Sequence, residues 1–214
     1  MNSPLNAIID DDAALRAGWS VIDLAAAYLD AGATFLQLRA KQRSSAWLLE
    51  TAGQLVAMAE KTGAQIIVND RADVARLAGA AGVHVGQDDL EPAAVRRLIG
   101  PDRLIGFSTH STAQIDDAVQ QPIDYVAVGP IFGTGSKDTG YDAVGLRLVA
   151  EAAQRARPRG LQVVAIGGIT LDRAPDVLRA GATSVAVISD LLTTGDPRAR
   201  VAQYLERLAQ VGGV

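Results

Sequence analysis

The chain has 214 residues, 49% of them hydrophobic, enough to bury one sizeable core and too few for two comfortable domains, so a single domain over residues 1–214 is expected. A formal charge of −4 leaves no broad basic surface, which argues against a nucleic-acid partner held through phosphate contacts, and the cations present must act locally. With no cysteine there is no disulfide framework, thiolate metal site or thiol nucleophile, a composition that fits a reducing cytoplasm.

The opening "MNSPLNAIIDDD" has no basic segment followed by a long apolar run, and no other stretch reaches membrane-spanning length, so a soluble protein with no membrane partner is expected. Short apolar runs then alternate with longer segments of helical periodicity. In chain order the runs are "LNAII", "ATFLQLR", "AQIIVN", "GVHVG", "RLIGFS", "DYVAVG", "LQVVAIG" and "SVAVIS", eight candidate strands. Their Val and Ile content and their Gly, Asn or Ser terminators suit parallel strands buried on both faces. Between them lie segments such as "SAWLLETAGQLVAMAEKTG", where Trp47, Leu48, Thr51, Leu55 and Met58 recur near helical spacing, with stops at glycines such as Gly63 and Gly181.

Eight strand-helix units in this length predict a single (β/α)8 TIM barrel; the rival on length is an open doubly wound sheet. No glycine-rich dinucleotide turn follows the first strand. Polar or small residues instead stand at many strand ends, at Arg39, Asn69, Gln87, Ser108, Thr134, Gly168 and Ser189. A barrel brings such ends to one mouth, where barrel enzymes place their sites, whereas an open sheet spreads them along a line.

Several of these places could carry chemistry. In "FLQLRAK", strand alternation gives Gln37, Arg39 and Lys41 one direction if the strand persists that far, and an arginine fork beside a mobile ammonium suits a phosphate or pyrophosphate. The alternative is a surface salt-bridge cluster leading into a helix capped by Ser44 or Ser45. In "VNDRAD" and "GQDDLEP", Asn69 and Asp70 end the third strand while Asp88 and Asp89 follow the fourth. Carboxylates from neighbouring strand ends suit Mg2+, which takes one or two of them and completes its shell with water and substrate phosphate. Each aspartate is equally placed to cap a helix, Asp70 directly and Asp89 shortly before Pro92. The loop "GPIFGTGSKDTGY", residues 129–141, offers Thr134 and Ser136 hydroxyls, backbone NH groups beside Gly133 and Gly135, and Lys137. It serves either as an anion-binding lid or as a plain flexible turn. Gly167, Gly168, Ile188 and Ser189 follow the last two strands, where barrels often bind phosphate. His84 reads as a satisfied buried histidine. His110, a loop residue, fits either a structural or an acid-base role.

The ordered set "QLRAK", "VNDRAD", "GVHVGQDD", "GFSTH", "GPIFGTGSK" and "AIGGI" resembles the thiamine-phosphate synthase family over nearly the whole chain. The resemblance implies a (β/α)8 barrel that joins hydroxymethylpyrimidine pyrophosphate to hydroxyethylthiazole phosphate with Mg2+, releasing pyrophosphate. It assigns Gln37, Leu38, Arg39, Ala40, Lys41, Asn69, Ser108 and Lys137 to the pyrimidine pyrophosphate. Thr134, Gly135, Ser136, Gly168, Ile188 and Ser189 go to the thiazole phosphate, and Asp70 and Asp89 to Mg2+. Arg39, Lys41 and Lys137 would neutralise the leaving group. The expected partners are small phosphorylated substrates, with a homodimer as the expected assembly. Two departures stand out: Gly133 and Ser136 replace proline and threonine of the family's Pro-Thr-x-Thr-Lys loop, and Asp190 replaces a small apolar residue. An anion there repels a bound phosphate unless its side chain turns away. The rivals are a thiazole tautomerase of the same fold, with His110 as acid-base group, and a non-catalytic sensor of a phosphorylated metabolite.

Overall fold

The alternation of buried strands and amphipathic helices closes on itself. The structure, a computed structural model, describes residues 3–133 and 142–211. Strands β1 (Leu5–Asp10), β2 (Phe35–Arg39), β3 (Gln65–Asn69), β4 (Gly82–Val85), β5 (Leu104–Thr109), β6 (Tyr125–Val128), β7 (Gln162–Ile166) and β8 (Ser184–Val187) form a closed barrel in sequence order. Every neighbouring pair is parallel, and β1 pairs with β8 to shut the ring. The open-sheet alternative is thereby excluded, and all the strand ends share one mouth.

Helices occupy the connections: α1 (Asp11–Arg16), α2 (Val21–Asp30), α3 (Ser45–Glu60), α4 (Ala72–Leu77), α5 (Pro92–Ile99), α6 (Thr112–Ala118), α7 (Gly145–Ala156), α8 (Ala174–Arg179) and α9 (Pro197–Ala209). Their starts follow from local chemistry. Asp10, Ser20, Ser44, Ser111 and Asp196 each accept a first-turn backbone NH, satisfying a donor the helix itself cannot. Pro92 and Pro197 open α5 and α9, where a missing NH costs nothing. The two aspartates read as alternative caps do not cap: α4 starts after Arg71 and α5 after Glu91, neither with a side-chain cap bond.

Period-two alternation divides the apolar residues between two cores. Ile8, Phe35, Ile67, Tyr125, Ala127, Val164 and Ala186 fill the barrel interior. Ala7, Ile9, Leu36, Leu38, Val68, Val83 and Val126 point outward and pack under the helices with Leu24, Tyr28, Leu55 and Val149. Inside, Gly106 makes room for the Tyr125 ring, since a Cβ there would lie 2.0 Å from the ring carbon Cζ.

Candidate active site

The mouth above the interior core holds a cavity of about 630 Å3, lined from β2 to β8 by strand-end residues. One wall is charged. Arg39 ends β2 beside Asp10 at the end of β1, in register, and donates through Nη1 to the Asp10 carboxylate, while Asp10 also caps α1. Its buried Nε has no hydrogen-bond partner among the described residues. A guanidinium that lines the cavity with a donor unused is prepared for an incoming acceptor. Lys41 lies beyond the strand, which ends at Arg39, and reaches the same wall through a turn, its Nζ 3.3 Å from Asp70 Oδ2.

Asp70 adopts φ 63°, the left-handed region that glycine favours, and is the only non-glycine among the described residues with positive φ. Its NH donates to the His84 carbonyl at 2.7 Å, fixing the turn after β3 against β4. Asp89 is held from the next loop, where its Oδ2 accepts the Gly86 NH at 2.7 Å. Burial pushes the Asp89 carboxyl up, and the charge of Asp70 pushes it further, although the Gly86 NH and Lys41 pull the other way. Two carboxylates that repel one another at a cavity wall fit a hard divalent cation that completes its shell with water and substrate oxygens. Among the described residues, no cluster of three or more His, Asp or Glu could hold a metal, so substrate and water would have to supply the other ligands.

The far side of this wall is a partly buried chain of hydrogen bonds. His84 Nε2 lies 2.8 Å from Ser108 Oγ and Nδ1 lies 3.2 Å from the Tyr125 hydroxyl, so the imidazole is satisfied, as the sequence suggested. Burial pushes the Tyr125 phenol up and keeps it protonated. His84 therefore orients Ser108 at the mouth, and Gln87 Nε2 donates to the Ser108 carbonyl at 2.6 Å. His110 also lines the cavity, with Nδ1 2.5 Å from the Gly129 carbonyl.

The opposite wall is backbone. Gly167 and Gly168 adopt φ 103° and 61°, and a Cβ at Gly168 would lie 2.6 Å from the Gly133 carbonyl oxygen. Only glycine allows the turn after β7 to lie so close to the segment after β6, where Ile131 and Phe132 donate NH groups to the Ile166 and Gly167 carbonyls. Beyond them, Ile188 and Ser189 begin the turn after β8 and line the cavity. Asp190 also lines the cavity, but its carboxylate is already engaged: Oδ2 accepts from the Tyr204 hydroxyl at 2.6 Å, from Arg200 Nη2 at 2.8 Å and from the Leu171 NH at 3.3 Å. The Arg200 guanidinium neutralises the charge that would repel a phosphate.

Among the residues predicted from sequence, Arg39, Lys41, Asn69, Asp70, Asp89, Ser108, Gly168, Ile188 and Ser189 all line this one cavity. Gln37 is buried, Leu38 and Ala40 pack toward the helical layer, and none of the three lines the cavity. Thr134, Gly135, Ser136 and Lys137 lie outside the described residues. Sequence reading passed over Asp10, although an aspartate ending the first strand before a helical run was a visible signal. It also passed over Arg173, a cation shortly after the glycine pair that lines the same cavity.

Fold and mouth together define a (β/α)8 barrel of the kind that holds anionic small molecules at the C-terminal ends of its strands. Residues 5–191 match the family model described as thiamine monophosphate synthase, and the chain belongs to that family. It is 46% identical over 178 residues to a thiamine-phosphate synthase of Koribacter versatilis, covering 83% of this chain and 81% of that one. A thiamine-phosphate synthase of Synechococcus sp. is 43% identical over 182 residues, which cover 85% of this chain and only 50% of that longer relative. The solved thiamine phosphate pyrophosphorylase of Pyrococcus furiosus superposes with a TM-score of 0.88 at 28% identity, over 99% of this chain and 98% of that one.

Proposed function

We infer that this chain is a thiamine-phosphate synthase, joining 4-amino-2-methyl-5-hydroxymethylpyrimidine pyrophosphate to hydroxyethylthiazole phosphate and releasing pyrophosphate. The observation that carries the reading is the wall on which Arg39, Lys41, Asp70 and Asp89 meet. Such a wall suits a pyrophosphate leaving group and has no task in a tautomerase that handles the thiazole phosphate alone.

The reaction breaks the bond between the pyrimidine methylene and the pyrophosphate oxygen and forms one between that methylene and the thiazole nitrogen. No cysteine is present to act as a nucleophile, and the histidine inside the barrel is already engaged, so the residues supply charge and position. Arg39 and Lys41 neutralise charge on the departing oxygens, in a mouth where reduced dielectric strengthens each contact. Lys137 would add a third cation from the loop after β6. Asp70 and Asp89 would hold Mg2+, which when bound supplies Lewis-acid stabilisation of the leaving pyrophosphate. Gln37, Asn69 and Ser108, with the backbone of Leu38 and Ala40, would fix the pyrimidine diphosphate. Thr134, Gly135, Ser136, Gly168, Ile188 and Ser189 would hold the thiazole phosphate so that its nitrogen meets the methylene as it opens.

Pyrophosphate release by the purified protein tests the reading. Release that requires both substrates and Mg2+ is the expected result. Bound thiazole phosphate with no release under any metal would overturn it.

A further inference from the structure

An arginine at the rim of this cavity has no part in the site assigned so far. Arg173 stands in the connection between β7 and α8 and lines the cavity beside Gly167, Gly168 and Thr170. Its guanidinium is fixed from two sides: Nη1 donates to the Gly168 carbonyl at 3.2 Å, and Cζ lies 4.7 Å from the centre of the Phe132 ring. Phe132 is itself tied to the β7 turn through its NH on the Gly167 carbonyl. No carboxylate among the described residues pairs with Arg173, in contrast to Arg39, Arg43, Arg71 and Arg200. Stacking on the ring lowers the rotamer freedom that an anion would otherwise have to freeze, and it leaves most of the fork's donors for a ligand. The α8 start does not need the side chain, which makes no cap hydrogen bond.

We propose that Arg173 is a further substrate-binding residue that holds the phosphate of the thiazole substrate, an inference that rests on the synthase reading. Barrel order decides which substrate it serves. In a ring of eight strands, β7 stands across from β3, so Arg173 faces the wall of Asp70 from the opposite side of the mouth. The pyrimidine pyrophosphate belongs to the Arg39 and Lys41 wall. The anion on the Gly168 side is therefore the phosphate monoester, which a planar fork binds through two oxygens.

Direct binding tests this without turnover. Calorimetric titration of Arg173→Gln with hydroxyethylthiazole phosphate is expected to show affinity about ten- to hundredfold below wild type, the range of a charge-assisted hydrogen bond. Binding of unphosphorylated hydroxyethylthiazole and of the pyrimidine pyrophosphate stays at wild-type strength, and Arg173→Lys recovers part of the loss. Wild-type affinity of Arg173→Gln for the thiazole phosphate would overturn the proposal. So would an equal loss for the unphosphorylated thiazole, which marks a packing role, or an equal loss for the pyrimidine pyrophosphate, which assigns Arg173 to the other anion. Pyrophosphate release by the wild-type protein is read separately, so a failure of the synthase reading is distinguishable from a failure at Arg173.

Discussion

Asp70 accepts backbone strain at the wall of the cavity. An L residue at φ 63° gives up about 1 kcal/mol relative to glycine, less for aspartate than for a branched residue. Asp70→Gly is therefore expected to melt within a few degrees of wild type while turnover falls by orders of magnitude. Calorimetry beside the pyrophosphate assay checks this, and full turnover in a folded Asp70→Gly would remove Asp70 from the site. Asp89 makes the complementary case through pH. Its carboxyl is raised above 3.8 by burial and by Asp70, so the folded state keeps that proton to higher pH than the unfolded chain. That contribution to stability is present below 3.8 and is lost as pH rises through the folded value. In metal-free buffer, Asp89→Asn should therefore be at least as stable as wild type near neutral pH, and it should lose the stabilisation wild type gains from Mg2+. At Asp190 the sequence raised a conflict that the structure resolves, because the charge is already spent on Arg200 and Tyr204. Asp190→Ala removes the only carboxylate paired with the mostly buried Arg200 among the described residues and should cost up to about 3–5 kcal/mol in a denaturant melt, with Asp190→Asn costing less.

At the scale of elements, the strands were legible because burial on both faces leaves little choice but Val, Ile, Leu and Ala, and because glycines follow several of them directly, as Gly86, Gly129 and Gly167 do β4, β6 and β7. All eight predicted runs became strands, with ends shifted by only one or two residues. Packing inside the ring was not legible. Gly106 looks from sequence like a weak point in "RLIGFS", yet it is the space into which Tyr125 fits, nineteen residues away in the chain and in register across β5 and β6. Nothing local reports that pairing, since the constraint comes from the neighbouring strand. Gly106→Ala is expected to force the Tyr125 ring off its partner His84 and to destabilise by about 1–3 kcal/mol. The same shift should disturb the His84 contact to Ser108, so KM for the pyrimidine pyrophosphate should rise in a variant that remains folded. An unchanged melting temperature would mean that the ring has another place to go.

At the scale of the molecule, barrel closure turns residues scattered along the sequence into one site. Sequence could order Arg39, Asp70, Asp89, Ser108 and Gly168 along the chain and infer a shared mouth, but it could not place Asp10 beside Arg39 or pair Asp190 with Arg200 and Tyr204. Those facts depend on which side chains meet across β1 and β2, or between the β8 turn and α9. The charged wall spans the turns after β2, β3 and β4, and it contains a repulsion between Asp70 and Asp89. Ligands that relieve it should therefore stabilise the fold as a unit. A ligand binding only the native state adds about 2.7 kcal/mol at one hundred times its dissociation constant. For a domain of this size that corresponds to a rise in melting temperature of about 5–10 °C. Mg2+ together with pyrophosphate is expected to raise the melting temperature of the wild-type protein by that order, and Mg2+ alone by less, because two carboxylates leave most of the metal's shell to water. In Asp70→Asn the increment from the metal should vanish while any stabilisation by pyrophosphate alone, through Arg39 and Lys41, persists. An equal Mg2+ increment in wild type and in Asp70→Asn would move the metal away from this pair of carboxylates.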